Sequence, residues 1–342
     1  MNIIDCHYHN SRWAFDGEDY IVALKKYREE VGVKTINLVC MPGYEGGSHN
    51  GGAAQNIMGA ILKSEDASVF AFGGLIYPSE DGEFDAESQV KDLMAIGFDG
   101  IKMIESKPTA YIKLPYRIDS DYYKKFFAYA EEQQIPILSH VADPEDFWDP
   151  ERAPEIAKKN GWFYGDGRYP SREQIYGEIY TILKRHPKIK MILAHCFFLS
   201  RHPEQIEELL DTYENVCIDL TPGTEMYRDF SQNREVWRKI FCKYYDRFMF
   251  GTDIHSEYDL AFRKRKVDSV VRFFTTDDVY QSFGATVQGL GLTQEQCDYI
   301  FGRSFLKFMG EKPKKIDPIA LREYIAQHAE CVSNIEAKDM IL

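Results

Sequence analysis

Eight short apolar runs rich in β-branched residues follow one another along this chain, each succeeded by a turn and a longer amphipathic stretch. They are IIDCHYH from Ile3, TINLVCM from Thr35, VFAFGGLIY from Val69, GIKMIE from Gly100, PILSHV from Pro136, MILAHCFF from Met191, VCIDLTP from Val216 and FMFGTDI from Phe248. Helical spacing fills 20–31, 53–64, 87–96, 122–133, 171–185, 203–213 and 234–245. Such alternation builds a parallel sheet, and eight units suffice to close it into a (β/α)8 TIM barrel of the α/β class. We expect residues 1–310 to form that barrel. Residues 311–342, entered through the Pro/Lys-rich joint EKPKKIDP, read as a C-terminal helical extension of the same domain.

Local punctuation agrees with this division. Ser171 followed by Glu173 and Gln174 marks a helix start, Gly97 a helix stop, and Pro203 the first turn of the sixth helix. The longest interruption, 144–170, directly follows the fifth run and carries Trp148, Trp162, Phe163, Tyr164 and Tyr169. A stretch that long serves either as a lid over the barrel mouth or as a packed cover for it.

Bulk composition excludes several partners. A net charge of −13 over 342 residues offers no basic stripe for nucleic acid or an anionic membrane. No apolar run reaches membrane-spanning length and no charged-then-apolar leader opens the sequence, so a cytoplasmic protein acting on a small molecule is expected. Seven cysteines, an odd number without a CxxC pair, read as reduced thiols. Strand alternation turns Cys6 and Cys196 away from the histidines beside them and into the core. Pairing of two barrels through the C-terminal extension is a further expectation.

The chemistry-bearing residues fall at the ends of the runs. His7 and His9 are one residue apart, so in an extended strand both imidazoles point to one face. Alone the pair means little, because 9 histidines in 342 residues give roughly 0.2 such pairs by chance. His140 ends the fifth run, His195 the sixth and Asp253 the eighth. In a barrel these ends form one rim, where active sites of the fold are built. Imidazoles with a carboxylate suit one divalent ion, zinc first and manganese second, with a position left for water. Asp253 can then take a proton, while His195 stabilises developing charge or donates one.

DCHYH, SHV, AHC and GTDIH, in that order at strand ends one, five, six and eight, resemble the amidohydrolase superfamily. More narrowly, they are similar to its second amidohydrolase family, which includes metal-dependent decarboxylases like α-amino-β-carboxymuconate-semialdehyde decarboxylase. The resemblance spans about residues 1–310. It implies a (β/α)8 barrel with one metal held by His7, His9, His140 and Asp253, and a catalytic role for His195. Two departures stand out. Arg303 and Ser304 replace an Asn-Ala pair frequent near the final barrel helix. Lys102 ends the fourth run where two-metal members carry a carboxylated lysine; carbamylation there would give His140 and His195 to a second ion. We read Lys102 instead as pairing with a carboxylate or meeting a substrate anion.

Substrate contacts are expected from Arg12 and Trp13 after strand one, Lys102 and Lys107 on and after strand four, Arg168 with Tyr169 in the long excursion, and Arg201 after strand six. Cation beside aromatic suits a carboxylated or aromatic substrate. His255, two residues past Asp253, shares its face if the strand continues. The first reading is a metal-dependent hydrolase of an amide, lactone or ester. The alternative is a non-oxidative decarboxylase of an unsaturated or aromatic acid. A purely structural metal barrel fits worst, since structural zinc sites are closed and rich in Cys.

Overall fold

The computed structural model describes residues 1–9, 19–45, 51–78, 83–223, 225–255 and 258–329. The runs become parallel strands: β1 Ile3–His9, β2 Val33–Val39, β3 Phe70–Gly74, β4 Gly100–Ser106, β5 Ile137–Val141, β6 Met191–Leu193 and β7 Val216–Asp219. The last run is split into β8 Phe248–Met249 and β9 Ile254–His255. Their order is β8-β7-β6-β5-β4-β3-β2-β1-β9. Because β8 and β9 belong to one run, the two edges of the sheet meet and the barrel is closed. Across that seam the Cys6 N–H donates to the Phe250 carbonyl (2.9 Å), and the Asp253 N–H to the His7 carbonyl (2.8 Å).

Helices α1 Tyr20–Val31, α2 Ala53–Glu65, α3 Ala86–Ile96, α4 Asp121–Glu132, α5 Arg172–Arg185, α6 Pro203–Thr212, α7 Arg234–Tyr244 and α8 Leu260–Thr275 ring the sheet. Each buries an apolar stripe against the outward strand faces, as Leu24 and Tyr27 do in α1 and Ile179 and Leu183 in α5. The expected punctuation is present. The Ser171 side chain accepts from the Gln174 N–H at the start of α5, and Gly97 ends α3 at φ 110°, a left-handed geometry that favours glycine.

A second, smaller apolar cluster fills the lower lumen. Ile4, Phe72, Leu138, Ile192 and Met249 point inward from the strands, and Phe305 and Phe308 of helix Ser304–Met309 pack with them to plug the N-terminal end. Arg303 and Ser304 lie within continuous helix there, the Ser304 hydroxyl bonding the Tyr245 carbonyl. Cys6 belongs to this inner cluster, which corrects the expectation that alternation turns it away from the lumen. The cause is a register shift between Asp5 and Tyr8, where the His7 N–H turns to the Asp5 carboxylate (3.1 Å).

Two other runs depart from plain strands. β6 stops at Leu193, and His195, Cys196, Phe197 and Phe198 all take positive φ, a single left-handed turn. Four such residues cost on the order of 1–2 kcal/mol each, and half-buried bonds hold them: Tyr176 Oη and Arg172 donate to the carbonyls of Phe197 (2.9 Å) and Phe198 (3.1 Å). The excursion 144–170 is a packed one. Phe147, Ala157 and Tyr164 form its own small core, with Trp148 donating to the Pro170 carbonyl. Beyond Gly310, helix Pro318–Gln327 sends Leu321 and Tyr324 into the outer cluster.

Candidate functional site

The bulge in β1 aims His7 and His9 into the upper lumen, and the break between β8 and β9 brings Asp253 to them. At the break Gly251 leaves no room for a side chain: a Cβ there would stand 2.7 Å from Asp219 Oδ1, 3.1 Å from the His7 Cβ, and closer still to Thr221 Oγ1. Asp253 itself takes φ 54°. Ligand atoms of His7, His9 and Asp253 lie within 4.8 Å of one another, the group among the described residues able to hold a metal. His9 Nε2 meets Asp253 Oδ1 at 2.7 Å and His7 Nε2 approaches it at 3.7 Å.

Behind this group stands Asp219 at the end of β7, its Oδ2 2.6 Å from His7 Nδ1. A carboxylate accepts only, so Nδ1 carries the proton and the His7 Nε2 lone pair faces Asp253. His9 gives its Nε2 proton to Asp253 Oδ1, and its buried Nδ1 has no partner, so nothing opposes a shift of the ring proton to Nδ1 when Nε2 coordinates. Lys102, also buried, sets its Nζ 3.4 Å from His7 Nε2. His195 contributes Nδ1 to the Thr221 carbonyl (3.3 Å), which leaves its Nε2 as the basic nitrogen, and its ring stands 5.6 Å from that of His7.

Burial sets the charge states. It holds the His7 imidazole well below its ordinary range, and lowers His195 to about 3 with help from the neighbouring His140. Burial likewise brings Lys102 down to about 8, against the pull of Asp253 and Asp219. Burial alone would raise Asp253, but its bond from His9 and the surrounding histidines overrule that and hold the carboxyl well below its usual range. Asp219 goes the other way, raised by burial. Neutral imidazoles beside an ionised carboxylate are the donor set of a borderline divalent ion, and these residues fit one.

Not every expected residue converges. His140 stands outside the three-residue group. Its Nε2 faces Lys107 Nζ and Asp143 Oδ1, each at 3.2 Å, and burial with the Lys107 charge lowers it to about 4. Its ring still lies 5.0 Å from that of His195. Arg168 turns outward, 70% exposed, its guanidinium held at 2.5 Å by Asp166 two residues earlier. Arg201 is likewise engaged, bonding Glu145 and Asp146. His255 does share the site, stacked on His9 with ring centroids 4.6 Å apart. Arg12 and Trp13 lie outside the described residues.

Sequence reading passed over Asp219, although it closes an apolar run as His140 and Asp253 do. It also passed over Asp143, which Tyr164 and Lys107 hold at 2.6 and 3.1 Å.

A family model described as amidohydrolase matches residues 48–301. Among solved structures, an uncharacterised TIM-barrel protein from Bordetella bronchiseptica is 12% identical, with 90% of this chain and 98% of that one covered at a TM-score of 0.57. A probable 2-pyrone-4,6-dicarboxylic acid hydrolase from Acinetobacter baumannii, with citric acid bound, is 12% identical over 91% of this chain and 100% of its own (TM-score 0.54). A dihydroxybenzoic acid decarboxylase from Polaromonas, with manganese and 2-nitroresorcinol bound, is 13% identical over 90% and 97% (TM-score 0.51). At such identities the likeness carries the fold. No curated protein is a match. Among the described residues no helix is long and apolar enough to cross a membrane.

Proposed function

This chain belongs to the amidohydrolase family, a metal-dependent one, and from that premise we propose that it is a hydrolase that directs water at a small carboxylated or aromatic amide, lactone or ester. The observation that carries the reading is the meeting of His7, His9 and Asp253 at the C-terminal rim with His195 beside them. In this reading His7, His9 and Asp253 hold one zinc or manganese ion, and His140, now bonded to Asp143, is the fourth ligand. When bound, the ion polarises a substrate oxygen and acidifies water.

The chain's own groups do the rest. Asp219 fixes the His7 tautomer. Asp253 and His195 are the proton acceptors: the first is an ionised carboxylate, and the second has its basic Nε2 free once Nδ1 is given to the Thr221 carbonyl. Lys102 and Lys107 supply positive charge for a substrate carboxylate, and His255 lines the same mouth. Free cysteines and the net charge of −13 support a cytoplasmic enzyme without nucleic-acid partners; the pairing of barrels stays part of this proposal.

The test is to incubate metal-loaded protein with lactones, amides and hydroxybenzoate-type acids while following acid and carbon dioxide together. Acid release without carbon dioxide is the expected result. Carbon dioxide from the acids would overturn hydrolysis in favour of decarboxylation. Two metal equivalents per chain would sink the one-metal assignment and revive a carbamylated Lys102.

A further inference from the structure

The end of the barrel opposite the histidines holds a second concavity, of about 660 Å³. Ile4 and Phe70, at the beginnings of β1 and β3, form its apolar floor together with Leu306, Pro313 and Ile316. Its wall is basic. Arg28, Lys34, Lys63, Lys312, Lys314 and Lys315 line it against one carboxylate, Glu311, in a chain where acidic residues outnumber basic ones 54 to 41.

Two of those cations are already used, Arg28 by Asp66 (2.5 Å) and Lys63 by Asp99. The other four are not. Lys34, Lys312 and Lys315 make no ion pair among the described residues, and Lys314 Nζ meets a thioether, Met94 Sδ, at 3.3 Å. Four unpaired cations against Glu311 leave an excess of three positive charges around one cleft. The segment that carries most of them is fixed rather than trailing. Asp99 accepts the Lys314 backbone N–H (2.7 Å), and the Ile96 carbonyl accepts that of Asp317 (2.8 Å). The Lys315 carbonyl fills the space a Cβ on Gly97 would need. Asp99, which also accepts from the Ala71 N–H (2.8 Å), carries the charge already balanced by Lys63.

We propose that this cleft is a binding site for a phosphorylated organic anion, its phosphates on Lys34, Lys312, Lys314 and Lys315 and its apolar body on Leu306, Pro313 and Ile316. The volume falls in the range of roughly 300–1,000 Å³ typical of small-molecule sites. Ammonium groups on long stems gather as point charges around the many oxygens of a di- or triphosphate, whereas one carboxylate would leave most of them unmatched. The site is independent of the reaction at the rim.

Calorimetric titration of the metal-loaded protein with ADP, inorganic pyrophosphate and adenosine tests it. ADP binds saturably and more tightly than pyrophosphate, and adenosine at least about tenfold more weakly than ADP. The Lys312→Glu/Lys315→Glu protein, altered at exposed positions, loses at least about tenfold in ADP affinity, and Lys34→Glu, on strand β2, provides a second variant outside that segment. Asp253→Asn binds ADP as the wild type does. No saturable ADP binding, affinity unchanged by the three lysine substitutions, or loss of binding in Asp253→Asn would overturn the proposal.

Discussion

The two ends of one barrel lumen are built on opposite terms. At the lower end Ile4, Phe72, Leu138 and Met249 interdigitate with Phe305 and Phe308, all fully or nearly fully buried. At the upper end the same strands present His7, Lys102, Asp219 and His195, equally buried but polar. Backbone strain follows the same divide. Among the described residues, six of the eight non-glycine residues with positive φ, namely Ala142, Asp253 and the four from His195 to Phe198, sit at the upper rim. The lesson is a separation of duties along the strands: burial below stabilises the barrel, and the upper end holds costly geometry that the lower end makes tolerable.

Removing a ligand should separate the two ends most sharply. Asp253→Ala or His7→Ala is expected to lose metal and at least about 10³-fold of activity. The melting temperature of the metal-free variant should stay near that of metal-free wild type; metal analysis and calorimetry together check this. The converse change, Phe72→Ala, should cost about 3–5 kcal/mol in urea unfolding while metal per folded chain is unchanged. Loss of metal there would show that the lower plug shapes the upper site.

Acid sharpens the contrast next. His140 and His195 have folded pKa values of about 4 and 3, below the ordinary 6.5, because burial disfavours their charged forms. Between pH 6.5 and 4 the unfolded chain therefore binds more protons. The stability they contribute is present above pH 6.5 and is lost as pH falls, on the order of 3 kcal/mol for His140 by pH 4. Metal-free protein should thus melt progressively lower across that window, and His195→Asn should flatten the slope. A slope unaltered in that variant would contradict the assignment. The smallest expected effect is that of Asp219→Asn, about 10–100-fold in metal affinity with folding intact, read by competition with a chelator.

Much of this was legible because strand ends are legible. A polar residue closing an apolar, β-branched run has few structural reasons to be there, and His7, His9, His195 and Asp253 all arrive at one rim on that logic. Asp219 obeys it too and was passed over for lack of a motif around it. What escaped depends on contacts between distant segments. Nothing in AHCFFLS announces a left-handed turn, since no glycine marks it; Tyr176 and Arg172 on α5 impose it through two carbonyls. The inward turn of Cys6 follows from the Asp5 carboxylate capturing a strand N–H. The position of His140 is decided by Lys107 and Asp143 together, a competition that spacing does not reveal.

The seam where β9 meets β1 has one more consequence. His9 and Asp253, touching across it, are 244 positions apart in the chain, so an ion shared between them would tie the first strand to the last. Such a tie works as a removable staple on a loop of about seven-tenths of the chain, withdrawing conformational freedom that an unfastened chain would regain. Occupancy at the rim and closure of the barrel are then two readings of a single equilibrium. The resistance of this fold to unfolding should climb with the logarithm of free metal once that exceeds the dissociation constant.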